Sequence, residues 1–84
     1  MIRVLLVDDQ AMIRDGLAVL LASSGEIEVT AQAGDGAQAV ELVATTELDV
    51  VVMDIRMPVM DGIEATAAIV ANRAEPDGRP HVLV

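Results

Sequence analysis

Three aspartates stand where hydrophobic runs of the chain stop. Asp8 and Asp9 follow IRVLLV at residues 2 to 7, and Asp54 follows VVVM at residues 50 to 53. An acid in that position puts a carboxylate at the tip of a buried strand, beside the apolar interior and not within it. If the two tips are neighbours, three carboxylates converge on one crevice. Their repulsion has two ordinary outcomes, a raised pKa for one member or a bound cation. The cation fits these residues better. Magnesium takes oxygen ligands, commonly one or two carboxylates completed by waters and phosphate oxygens, whereas the chain has no cysteine and a single histidine, His81, so zinc finds no ligand set. With the charge neutralised in this way, one carboxylate can act as nucleophile toward a phosphoryl group, and Asp54 is the candidate.

That chemistry requires a fold in which the first and third hydrophobic runs lie side by side. Residues 2–7 and 50–53 are continuously apolar, the pattern of strands covered on both faces, as in parallel sheets. IEVTAQA, residues 27–33, alternates and reads as a half-covered or edge strand, and HVLV, residues 81–84, reads as a fourth strand. Helices are expected between them. Ile13, Leu17, Leu20 and Leu21 make one apolar stripe, within which Gly16 is expected to mark close packing. Val40 and Val43 mark a helix over 37–45, Ile63, Ile69 and Val70 mark another over 62–73, and EPDGRP at 75–80 is turn chemistry. The order β-α-β-α-β-α-β predicts an open parallel sheet with helices on both faces. Laying the third strand on the far side of the first gives the order 2-1-3-4, with the tips of strands one and three adjacent at a topological switch point, where open α/β sheets bind ligands.

Length and composition bound the rest. A chain of 84 residues is one domain at most, and a domain of that size buries only about 60 to 65% of its unfolded surface. It is 54% hydrophobic with a mean hydropathy of +0.53 but has no Phe, Tyr or Trp, so the core must be aliphatic. Without cysteine there are no disulfides or thiolate metal sites. No apolar run is long enough to span a bilayer and no signal peptide is recognisable, which points to a soluble cytoplasmic protein without membrane contact. A net charge of −9 with only five basic residues argues against binding a phosphate backbone through this segment. It suits a basic partner surface or a hard cation, although a solvated acidic surface accounts for most of it.

The remaining polar residues read as structural. Asp61 with Glu64, and Asp35 with Gln38, stand three apart at helix starts as capping boxes, Gly62 follows Asp61, and Pro58 shapes the turn after Asp54. Asp9 taken by itself would read as the cap of the first helix. Asp15 and Asp49 read as solvated, and Met12, Met57 and Met60 as packing. Arg56 is either exposed or a source of a main-chain carbonyl for the metal.

VLLVDD, the segment VVVMDIRMPVMDG and the spacing between the acids resemble the receiver domain of bacterial two-component response regulators, through the whole chain. The resemblance implies a flavodoxin-like doubly wound α/β sheet. It implies that Asp54 is the phosphoacceptor, taking a phosphoryl group from the phosphohistidine of a sensor histidine kinase. Asp9 would then ligate Mg2+ directly, Asp8 through water, and Arg56 through its main-chain carbonyl. RDGLAVLL, residues 14–21, is similar to the NarL/FixJ group, whose members usually carry a C-terminal helix-turn-helix domain, so any DNA contact would come from outside this chain. The family pattern has five strand-helix units, and residues 1–84 are expected to be a receiver domain incomplete at the C-terminus, without the last strand and helices. Inefficient phosphorylation, and self-association through the fourth strand or exposed helical faces, are expected of such a piece. Two other readings stand beside this one. A haloacid dehalogenase-type phosphatase or phosphotransferase would need an acid where Arg56 stands, and a receiver-like dimerisation module would carry a vestigial site.

Overall fold

Apolar runs end where their strands end. In a computed structural model, which describes residues 1–54, 62–71 and 80–83, β1 spans Ile2–Val7, β2 Ile27–Ala33, β3 Val50–Met53 and β4 His81–Leu83. Helices α1 (Ala11–Ala22), α2 (Gly36–Thr45) and α3 (Gly62–Ala71) alternate with them. The strands form one parallel sheet in the order β2-β1-β3-β4, the expected doubly wound arrangement. β1 is paired on both sides, which is why its run is apolar without alternation: Val4, Leu5, Leu6 and Val7 are all buried. β2 sits at an edge and keeps its alternation throughout, while its pairing with β1 shifts register, Val4 facing Val29 and Leu5 facing Ala31.

Successive side chains of a strand face opposite ways, so β1 serves two layers. Leu5 and Val7 join Val51, Met53, Ala33, Ala39, Leu48, Ala65 and Ile69 in one cluster beneath α2 and α3. Val4 and Leu6 face the other way, toward α1. Full burial of a leucine such as Leu5 or Leu6 contributes about 1.5–3 kcal/mol, a large share of what so small a core can supply. At the opposite ends of the strands from the aspartate tips, Arg3 joins β1 to the start of β3. Its main-chain N–H donates to Asp49 Oδ2 (2.8 Å), its Nε to the same oxygen (3.1 Å), and its Nη1 to Glu47 (2.8 Å). The Asp49 side chain holds the Arg3 guanidinium above its ordinary pKa.

The structure corrects three expectations. Asp49 is half-buried in the Arg3 pair and is not a solvated acid. Gly16 does not mark close packing: a Cβ built there meets nothing within 4 Å among the described residues. The stripe of Ile13, Leu17, Leu20 and Leu21 is not the buried face of α1: the first three side chains are 44, 36 and 68% exposed, Leu21 is half-buried, and no residue of α1 is fully buried. α1 lies chiefly over β2 with Arg14, Ala18 and Leu21 half-buried, so of the stripe only Leu21 turns inward, while Ile13 and Leu20 fall on an open flank. α1 ends at Ser23, and Gly25 follows with φ 76°, a left-handed turn that glycine makes without a Cβ clash. Among the described residues no helix is long and apolar enough to cross a membrane. Arg56, Pro58, Asp61, Met57 and Met60 lie outside the described residues, as does most of the 75–80 turn.

Candidate functional site

Parallel pairing of β1 with β3 sets the geometry of the acids. The register runs Val4↔Val50 through Val7↔Met53, so the next residue on each strand is an aspartate. The Asp54 N–H donates to the Val7 carbonyl (2.9 Å) and the Asp8 N–H to the Ala33 carbonyl (3.1 Å), which ties both tips into the sheet. One carboxylate oxygen from each of Asp8, Asp9 and Asp54 lies within 4.8 Å of the others, with Asp8 and Asp54 half-buried and Asp9 exposed. Asp8 Oδ1 also accepts from the Gln10 N–H (2.9 Å), an Asx turn that bends the chain from β1 into α1. Position 10, not Asp9, is the cap of α1, and its side chain makes no capping bond.

These residues fit a hard divalent cation. All three donors are carboxylate oxygens, and His81 begins β4 at the other end of the parallel sheet. At a ligand distance of about 2.1 Å, two oxygens on opposite sides of a magnesium ion are about 4.2 Å apart. A cluster within 4.8 Å therefore needs only small side-chain rotations to close on one ion or on its bound water. The same proximity is repulsive without a cation. Two unit charges 4.8 Å apart repel by about 0.9 kcal/mol in water and about 3.5 kcal/mol at an effective dielectric constant of 20.

An open cavity of about 190 Å³ adjoins the cluster, lined by apolar Leu6, Leu17 and Val52 and by polar Asp8, Arg14 and Asp54. Arg14 entered the sequence reading only within RDGLAVLL, yet it reaches the site. Its Nη1 donates to the Asp8 main-chain carbonyl and its Nε to Gln32 Oε1 (3.2 Å). The available signal was its place as the fourth residue of α1, near a helix N-terminus where a cation opposes the helix dipole. Asp35 stands apart from the cluster as the cap of α2, accepting from the Gln38 N–H (2.8 Å), while Gln38 Oε1 accepts from the Gly34 N–H (3.0 Å), one residue before the cap.

A doubly wound parallel sheet with an acid cluster at its switch point defines a class, the receiver-type α/β domains. The response regulator receiver domain family matches residues 4–83, and the chain belongs to it. It is 47% identical over 76 residues to the transcriptional regulatory protein LiaR of Bacillus subtilis, covering 90% of this chain and 36% of LiaR. To a protein-glutamate methylesterase/protein-glutamine glutaminase of Methanococcus maripaludis it is 49% identical over 75 residues, covering 89% of this chain and 20% of that protein. Among solved structures, the response regulator TrrA of Thermotoga maritima, in complex with Mg2+ and BeF, is 32% identical with a TM-score of 0.81, over 87% of this chain and 62% of that one. TrrA has also been solved in complex with the histidine kinase ThkA. This chain thus spans a fifth to about a third of the length of these two curated relatives.

Proposed function

We propose that this receiver module accepts a phosphoryl group on Asp54 from the phosphohistidine of a sensor kinase, with Mg2+ held by Asp8, Asp9, Asp54 and the main-chain carbonyl of Arg56. The observation that carries this reading is the convergence of three carboxylates from two adjacent strand tips within 4.8 Å. The TrrA complexes with Mg2+ and BeF and with a histidine kinase support it by likeness.

An Asp54 carboxylate oxygen forms the new O–P bond as the N–P bond of the phosphoimidazole breaks, and the imidazole nitrogen keeps the electron pair and takes a proton. When bound, Mg2+ neutralises charge on the transferring oxygens and on the carboxylates around them. The chain's own contribution is placement. The β1–β3 ladder aligns the two tips, and the bond from the Gln10 N–H holds the Asp8 carboxylate at the strand end. Within these residues the role is that of an acceptor and not of a catalyst of substrate turnover. Relatives named for transcriptional regulation and for methylesterase activity share this segment. We assign the output to transcription because RDGLAVLL in α1 resembles the NarL/FixJ group, with DNA contacted by a domain outside these residues.

The test is incubation of the protein with a small-molecule phosphodonor and Mg2+, followed by mass spectrometry. One base-labile phosphoryl group on Asp54, abolished by Asp54→Asn in a variant that keeps its fold, is the expected result. Multiple turnover of the donor with no lasting adduct would overturn it.

A further inference from the structure

The turn that carries Asp8 and Asp9 is bonded from two sides. From within, the Gln10 N–H donates to Asp8 Oδ1 (2.9 Å). From outside, half-buried Arg14 donates its Nη1 to the Asp8 carbonyl, and its Nε anchors on Gln32 Oε1 (3.2 Å) at the end of β2. The guanidinium also has a main-chain neighbour. A Cβ at Gly34 would lie 3.6 Å from Arg14 Nη1, so the β2–α2 connection passes directly beside it, and the Gly34 N–H is held by Gln38. α1, β2 and the β2–α2 connection thus meet through one side chain at the tip of β1.

The Asp8 carbonyl is a consequential atom to hold. It belongs to the same planar peptide unit as the Asp9 N–H, so fixing the direction of that C=O fixes the plane from which Asp9 departs. We infer that Arg14 is a positioning residue that orients the Asp8–Asp9 peptide, presenting both carboxylates to Asp54 before any cation arrives. This rests on the reading of the three acids as a divalent-cation site. The competing explanation is that Arg14 merely offsets the negative charge of the cluster. The two differ in sign. A guanidinium kept only for its charge competes with a divalent cation, so removing the charge strengthens metal binding, whereas removing a positioning contact weakens it.

Mg2+ titration by calorimetry of wild type, Arg14→Lys and Arg14→Met, each shown folded by circular dichroism, separates them. Lysine keeps the charge but cannot bridge the Asp8 carbonyl and Gln32 with a planar fork. Positioning predicts that both variants bind Mg2+ about tenfold or more weakly, in the range seen when groups that orient metal ligands are lost. It also predicts faster hydrogen exchange at the Gln10 amide in both variants without Mg2+. Unchanged affinity in Arg14→Lys together with tighter binding in Arg14→Met would overturn the inference. Wild type showing no saturable Mg2+ binding would instead overturn the metal reading and the metal half of this inference with it. In that event Gln10 exchange alone decides whether Arg14 orders the turn, and unchanged exchange refutes it.

Discussion

Replacing Asp9 with asparagine should stabilise the protein without Mg2+ and destabilise it, relative to wild type, with Mg2+. Among the described residues the Asp9 carboxylate makes no hydrogen bond, so the substitution removes charge and little else. Two repulsions involve Asp9, but Asp8 is its neighbour in sequence and that pair persists in the unfolded chain. Only the repulsion with Asp54, across 4.8 Å or less, is specific to the fold. Because Asp9 is exposed, the high-dielectric figure of about 0.9 kcal/mol applies, reduced to about 0.5 kcal/mol at physiological ionic strength, where the screening length is about 8 Å. A domain of this size shifts by about 4–8 °C per kcal/mol, so Tm in EDTA should rise by about 2–4 °C. A cation present at a hundred times its Kd stabilises wild type by about 2.7 kcal/mol, most of which the variant forgoes, so the order of stability reverses. Thermal melts of both proteins with EDTA and with saturating Mg2+ check this. A variant that melts at or below wild type in EDTA, or a gain that Mg2+ leaves untouched, would refute the argument that these carboxylates repel one another and share a cation.

Two further outcomes follow from the same structure. Gly16→Ala should raise stability by up to about 1 kcal/mol, since it restores helix propensity in α1 at a position with open space around it; a lower Tm would mean that something covers this face of α1. Arg3→Met should lower Tm by removing the link between the starts of β1 and β3. Because Asp49 raises the Arg3 pKa, the stabilisation from the arginine's charge is fully present below its ordinary pKa and is lost only as pH rises through the raised value. The deficit of the variant should therefore stay constant across the neutral range, and a deficit that varies there would point to another titrating group.

What could be read from the amino acids alone was whatever depends on local pattern and parallel topology. The first three strands begin and end where their runs do, and a run of unalternating Val and Leu at residues 4–7 already implies a strand paired on both sides. From there, placing acids directly after strands one and three brings Asp8, Asp9 and Asp54 together, with no contact between them needing to be known in advance. α1 was harder because periodicity marks an apolar stripe without saying which neighbour the helix leans on. The helix leans on β2, which leaves Ile13 and Leu20 on an open flank. Arg3 with Asp49 escaped notice because 46 residues separate them, and no local pattern links an arginine on one strand to an acid before another.

The two arginines so overlooked act at opposite ends of the same strand, and this makes the arrangement intelligible. Where β1 begins, Arg3 meets two acids, and unlike charges there strengthen the junction with the start of β3. Where β1 ends, three acids meet, and like charges there weaken the junction unless something compensates. Main-chain bonds from Asp8 and Asp54 into the sheet, the Gln10 N–H on the Asp8 carboxylate and Arg14 on the Asp8 carbonyl are the compensation that the chain itself supplies. They keep the tip in place through main-chain groups, and a divalent cation binds carboxylates in their ionised form. A strand tip held by its backbone and not by neutralising its acids therefore keeps three carboxylate oxygens together, which is what the proposed cation site requires.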